Sequence, residues 1–290
     1  MVGARLLSFD VEHWYDATLA SKPASAQPEY ARREIDAVLE LLAARGVRAT
    51  FFVLGGLARQ LPASVRDIAA AGHEVGCHGL THELLFELGE ARMRREVGAA
   101  RSILQELSGQ EVVGYRAPTW SLDRRSAWAP RVLHELGFRY DSSVFPLRTP
   151  FYGVAGAPVG PYRLKAGDGW LLELPPAVRE VLGVRVPLAG GIYWRVLPAA
   201  LVTLGLRGMQ LPVLYAHPWE VAPAGWSLPS GSGALARFGM GFRGRQLGPV
   251  LGRLLRTGSF QPLGDALRDL DGSALPAWGF QDGRIAQLPH

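Results

Sequence analysis

The sequence predicts an α/β fold built on parallel strands. Three observations predict it. Short apolar runs of strand length alternate along the chain with amphipathic helical segments. Polar residues with catalytic chemistry fall where those runs end. The 290 residues, 48% hydrophobic and 20% charged, suffice for one large barrel or two modest domains with a sizeable core.

The first strand is Ala4 to Phe9, followed by a polar loop from Asp16 to Pro28. A helix spans Tyr30 to Arg45, with Ile35, Val38, Leu39 and Leu42 at helical spacing and Gly46 closing it. The second strand is Ala49 to Leu54, and a helix from Ala63 to Ala71 leads to the third, His73 to Cys77. A long helix from Glu90 to Leu107 carries Met93, Val97, Ala100 and Leu104 on one face. Strand four is Val112 to Tyr115, a helix covers Ser126 to Leu136, and strand five is Phe138 to Asp141. The Pro- and Gly-rich stretch from Phe145 to Gly169 reads as a long loop. Leu171 to Leu174 is a further strand, Leu197 to Leu206 a helix, Val213 to Ala216 the last barrel strand, and Gly248 to Arg256 a final helix. The last twenty residues carry no pattern we can assign.

Charge and cysteine usage narrow the function classes. A net charge of +5 arises from 31 basic and 26 acidic residues, and the arginines are scattered. That gives a mildly basic surface, compatible with acidic glycans or peripheral contact with anionic membranes. No basic run is interleaved with aromatics, so nucleic acid is not the expected partner. The single cysteine, Cys77, excludes an intrachain disulfide and suits a reducing compartment. The N-terminus lacks the pattern of a signal peptide, and the longest apolar stretch, Val196 to Leu206, is too short for a membrane span. A cytoplasmic protein is the expectation.

The chemistry-bearing residues sit at strand ends: Asp10 and Glu12 after strand one, His78 and His82 after strand three, Arg116 after four, Asp141 after five, His217 after the last. In a parallel barrel those ends converge on one face, where active sites are built. His78 and His82, four apart on a helical turn, bring their Cβ atoms within about 6 Å, so both can reach one cation. Histidine pairs at this spacing also occur on ordinary surfaces. Alternation along an extended chain puts Asp10 and Glu12 on one side, about 7 Å apart. One carboxylate can then ligate a metal while the other acts as base. Two histidines and one carboxylate with open positions form a catalytic rather than a structural coordination set.

The ordered set Phe9-Asp10-x-Glu12, His78-x-x-x-His82, Arg116-Ala117-Pro118, Asp141-Ser142-Ser143 and Leu214-x-x-His217 resembles the motifs of the polysaccharide deacetylases, the NodB-homology group of carbohydrate esterase family 4. The phrases GYRAPTWSL, YDSSVFP and LYAHPWEV most resemble a bacterial subgroup found near exopolysaccharide and exosortase gene clusters. The resemblance covers about Leu6 to Val221 and implies a distorted (β/α)7 barrel. It also implies removal of acetyl groups from N-acetylated sugars. We therefore assign residues 1–260 to the barrel and 261–290 to a tail packed on it or extending from it.

Carried over by residue, the resemblance makes Asp10 the general base and Glu12, His78 and His82 ligands of a divalent metal, Zn2+ first, with Co2+, Ni2+ or Fe2+ as alternatives. Arg116 orients Asp10, the Thr119 backbone N–H helps to stabilise the oxyanion, His217 is the general acid with Asp141 as its partner, and Leu214 helps to shape the pocket for the acetyl methyl. Trp120, Tyr193, Trp194 and Trp219 are candidate sugar contacts, with a packing role equally open for Tyr193 and Trp194. Two features depart from the common pattern. The acids are spaced as Asp10-Val11-Glu12 rather than adjacent, and His13 stands where the subgroup has another acid. Allantoinase-like relatives share spaced acids and hydrolyse cyclic amides without a metal. That activity, or a catalytically silent carbohydrate-binding protein of a polysaccharide assembly complex, is the alternative reading.

Overall fold

The computed structural model describes residues 4–16, 27–222 and 247–289. Most of the predicted Asp16 to Pro28 loop, and the unassigned terminal His290, lie outside the described residues.

The strands are β1 (Arg5–Val11), β2 (Thr50–Val53), β3 (Glu74–Cys77), β4 (Gly114–Tyr115), β5 (Tyr140–Asp141), β6 (Tyr162–Ala166), β7 (Gly169–Glu173), β8 (Val178–Val181), β9 (Val184–Pro187), β10 (Val213–Ala216), β11 (Phe260–Gln261), β12 (Ala277–Gln281) and β13 (Arg284–Gln287). Seven of them, in the order β10-β1-β2-β3-β4-β5-β7, run parallel. Just past β7, Pro176 bridges in parallel to Val213 of β10, and the Ala177 N–H donates to the Val213 carbonyl at 2.9 Å. That single bridge brings the seventh strand back to the first, so the α/β fold is a parallel ring joined at one thin seam.

Helices cover the ring: α1 (Pro28–Ala43), α2 (Gly55–Gln60), α3 (Pro62–Ala70), α4 (Leu85–Ser108), α5 (Ala129–Glu135), α6 (Gly191–Val196), α7 (Ala199–Gly205), α8 (Pro218–Val221) and α9 (Gly248–Leu254). None of the helices among the described residues is long and apolar enough to cross a membrane. In α4, Gly89 is non-helical at φ 69°, so the regular helix begins at Glu90. Strand alternation then sorts the core. Leu7, Phe9, Phe51, Val75 and Leu214 join helix residues such as Ile35, Val38 and Val97 in the outer layer. Leu6, Phe52, Tyr140 and Val213 fill the ring's interior, where Leu263 and Ala266 join them.

Three segments differ from the reading of the sequence. The stretch expected to be one long loop contains β6, whose buried Tyr162, Leu164 and Ala166 alternate with Arg163 and Lys165. A tight turn through Gly167 (φ +64°) returns it antiparallel onto β7. The unassigned tail forms the β12–β13 hairpin through Asp282-Gly283, at φ 47° and 74°, with β12 parallel to β6. Asp-Gly between alternating residues is a strong hairpin signal. Finally, residues 78–84 are not helical, so His78 and His82 do not share a helical turn.

Candidate active site

Every strand of the ring points its C-terminal end to one face, and that face gathers the polar residues. Asp10, Glu12, His78 and Arg116 are buried there, at 3%, 3%, 2% and 0% exposure.

The two histidines reach a common point through a loop rather than a helix. Gly79 takes φ +90°, and the Gly55 and Gly56 amides of α2 donate to the Gly79 and Leu80 carbonyls at 2.8 and 2.9 Å. A Cβ on Gly56 would meet the Leu80 carbonyl oxygen at 2.9 Å, so the close approach requires glycine. His78 Nδ1 lies 2.8 Å from the Arg116 carbonyl, which turns Nε2 toward Glu12. The two imidazole rings end 5.5 Å apart.

Glu12 Oε2 lies 2.6 Å from His82 Nε2 and 3.7 Å from His78 Nε2, yet this buried oxygen makes no well-aligned hydrogen bond. Ligand atoms of the three residues all fall within 4.8 Å of one another. An orphaned carboxylate oxygen converging with two imidazole nitrogens fits a divalent cation of the zinc type. Burial alone would raise the Glu12 carboxyl. The His82 and His217 rings outweigh it, and hydrogen bonding adds to them, so the group stays well below its ordinary value. The charged, metal-competent form is thus the stable one.

Beside this cluster, the Arg116 guanidinium is completely enclosed and makes four hydrogen bonds. Nη1 donates to Asp10 Oδ1 and to Ser8 Oγ, both at 2.7 Å, while Nε and Nη2 donate to the Ser142 carbonyl and hydroxyl at 3.1 and 2.8 Å. Its charge centre lies 4.3 Å from the Phe52 ring and 4.7 Å from the Trp120 ring. A buried charge persists only when paired and hydrogen-bonded, and here Asp10 is the paired anion. Trp120, 5% exposed, is therefore a lid on Arg116 rather than an open platform. Thr119 and Trp120 both take left-handed backbone angles, φ 52° and 53°. Such strain concentrates where a chain is held for function.

His217 corrects the expected pairing. Its partner is Glu220, not Asp141: Nδ1 lies 2.8 Å from Glu220 Oε2, and the His217 backbone N–H donates to the same oxygen at 3.1 Å. Arg195 Nη1 holds the other oxygen at 3.0 Å. Asp141 cannot reach, because Tyr140 and Ser142 face the interior and alternation turns Asp141 outward. There it accepts from Ser143 and shares a hydrogen bond with Glu173, its cross-strand neighbour. Burial would lower His217. The Glu12 and Glu220 carboxylates more than reverse this, and the ring is pushed up to about 9. With Nδ1 on Glu220, Nε2 faces Glu12 Oε1 at 3.5 Å.

Leu214 is a second correction. It pairs with Leu7 and lies in the outer core, whereas Tyr215 pairs with Ser8 and faces Arg116. Tyr215, not Leu214, therefore lines the reacting face. Trp219 stacks on His217 at 4.7 Å between centroids. Trp194 is buried at 2% and donates from Nε1 to the Leu188 carbonyl, so it packs inside. Tyr193 is half-buried and packs against the outer core. His13 stacks on Tyr15 and contacts Gln60. Burial pushes the Cys77 thiol up to about 12, which leaves it an inert core residue.

Glu220 and Arg195 had escaped the sequence reading. A signal was present: His217-Pro218-Trp219-Glu220 has proline at the first helical position and glutamate two later, a helix-start pattern in which the acid folds back onto the cap residue.

Residues 27–140 match the family model for polysaccharide deacetylases, and residues 142–268 match a domain of unknown function, DUF3473. The chain is 40% identical over 89 residues to a chitooligosaccharide deacetylase of Sinorhizobium fredii, covering 30% of this chain and 41% of that one. It is 33% identical over 93 residues to a peptidoglycan-N-acetylglucosamine deacetylase of Bacillus cereus, covering 32% and 34%. The chain thus spans less than half the length of these relatives. A crystal structure of a protein assigned to the polysaccharide deacetylases, from Mycobacterium smegmatis, aligns over 100% of this chain and 95% of its own, with a TM-score of 0.62 at 25% identity.

Proposed function

We propose that this chain, whose residues 27–140 are a polysaccharide deacetylase domain, hydrolyses the N-acetyl group of an amino sugar in a bacterial exopolysaccharide or its lipid-linked precursor. The observation that carries this reading is the convergence of Glu12, His78 and His82, with the His217 ring 3.5 Å from Glu12 and Asp10, held by Arg116, two residues before Glu12.

Glu12, His78 and His82 would hold a divalent metal, Zn2+ first. Once bound, the metal would lower the pKa of a water and polarise the acetyl carbonyl. Asp10, fixed through Oδ1 by Arg116, accepts a proton from the attacking water. The water oxygen bonds to the carbonyl carbon and the C–N bond breaks. His217, kept protonated by Glu220, delivers its proton to the departing nitrogen. Acetate and a free amine result. Thr119, in the strained turn beside Arg116, supplies the backbone N–H for the oxyanion. Tyr215 and Trp219 bound the space for the acetyl methyl and the adjoining sugar.

We place the reaction on the cytoplasmic side, on a precursor. Recovery of the native protein from the periplasm would overturn that placement. The activity is tested by measuring acetate released from N-acetylglucosamine oligomers with and without a chelator and added Zn2+. No acetate release, together with hydrolysis of a cyclic amide that survives complete metal removal, would favour the metal-free cyclic-amide reading instead.

A further inference from the structure

A second concavity adjoins the reaction centre. The loops after β4 and β5, together with the β12–β13 hairpin, enclose a cleft of about 530 Å³. Its wall carries Arg124, Arg125, Arg148 and Arg284, along with Phe151 and Phe280. The only acid in that wall, among the described residues, is Asp123, and Arg125 engages it at 2.6 Å. The guanidinium groups of Arg124, Arg148 and Arg284 pair with no carboxylate among the described residues.

Three exposed guanidinium groups on the wall of one cleft give it a positive potential that attracts anions. Guanidinium forks match phosphate and carboxylate oxygens through paired N–H donors. Phe151, 48% exposed, adds an apolar face of the kind a sugar ring can cover. The cleft is linked to the reaction centre by a chain of packed rings. Tyr152 lines it and lies 5.2 Å from the Phe145 ring, which lies 5.4 Å from Trp120, whose ring lies 4.9 Å from that of Tyr215. The Tyr215 ring lies 6.0 Å from the His217 ring.

We propose that this cleft is a subsite for an anionic group, phosphate or carboxylate, on a unit of the glycan next to the one being deacetylated. Its link to turnover rests on the hydrolase reading above, but its binding of anions does not.

The test uses the full chain and the Arg124→Gln/Arg148→Gln/Arg284→Gln variant, whose substituted side chains are exposed and lie outside the metal and proton-transfer residues. Calorimetric titration with glucose 1-phosphate, glucuronate and neutral glucose reads the cleft directly. The wild type should bind one or both anions and not glucose, and the variant should bind at least about tenfold more weakly. The two anions distinguish a phosphate-bearing from a uronate-bearing glycan. Equal binding by wild type and variant, or no binding by either, overturns the subsite. Turnover is the second arm: KM should rise for oligomers carrying the preferred anion, while acetate release from neutral oligomers stays unchanged. Anion binding that depends on the arginines, without acetate release from any substrate, would leave the subsite standing and refute the hydrolase reading.

Discussion

Replacing Asp141 with Asn tests whether this aspartate serves catalysis or only the fold. Burial raises its carboxyl from 3.8 to about 6, more than offsetting its hydrogen bonds with Glu173 and Ser143 and the nearby Arg116 charge. A folded pKa above the unfolded one contributes stability that is complete below the unfolded value and is lost as pH rises through the folded value. A shift of roughly two units corresponds to about 3 kcal/mol, of which about 2 kcal/mol is lost between about pH 4.5 and about pH 8. Asn cannot ionise, so the variant's unfolding free energy should fall less over that window by about 2 kcal/mol. Urea unfolding at the two pH values, compared between wild type and variant, reads this difference, and the same comparison in a Glu173→Gln background removes the linked titration of its cross-strand partner. Acetate release should keep the same kcat in the folded variant. Glu220→Gln should reverse the catalytic outcome, with kcat lowered at least about tenfold through loss of the oriented, protonated His217. Identical pH slopes for wild type and Asp141→Asn, or a kcat loss in Asp141→Asn matching that of Glu220→Gln, would refute the assignment of partners.

The other expectations concern the cluster itself. Asp10→Asn should retain bound metal, by elemental analysis, and lose about 10²- to 10⁴-fold in kcat, the range for a general base; undiminished turnover would remove Asp10 from that role. His78→Ala and His82→Ala should lose metal and acetate release together, and excess Zn2+ should restore neither fully. Gly191→Ala introduces a Cβ that would meet the Glu220 carboxylate at 2.2 Å. It should lower kcat much as Glu220→Gln does, with metal content unchanged; normal kcat would show that Glu220 need not sit where it does.

Much of this was legible in sequence because it obeys short-range rules. The parallel strands announced themselves as apolar runs, and their polar C-terminal neighbours are fixed in place by the strands. What escaped depends on which face a residue takes. Asp141 and Leu214 were assigned from motif position, but each lies one residue away from an inward-facing neighbour, Ser142 and Tyr215, and a one-residue offset in a strand reverses the side. The histidine spacing suggested a helical turn, whereas Gly79 at positive φ and two amides from α2 build the same convergence from a loop. Arg195 was not legible as a site residue, since nothing local says that it meets a carboxylate 25 residues later.

The site divides unevenly along the chain, and the division explains why its two matched regions must fold together. His78, His82 and Arg116 come from the region like polysaccharide deacetylases, whereas Arg195, His217 and Glu220 come from the DUF3473 region. Asp10 and Glu12 precede both. The parallel pairing of β10 with β1 joins them: Phe9 lies beside Ala216, so the chain leaves both strands with Asp10 and His217 at one level. On its other edge β1 pairs with β2, which pairs with β3 and so carries the histidine loop. Asp10, the Glu12–His78–His82 cluster and His217 therefore meet only because β1 lies between the two regions. A fragment ending before β10 would keep Glu12, His78 and His82 but lack His217, Glu220 and the seam that closes the ring.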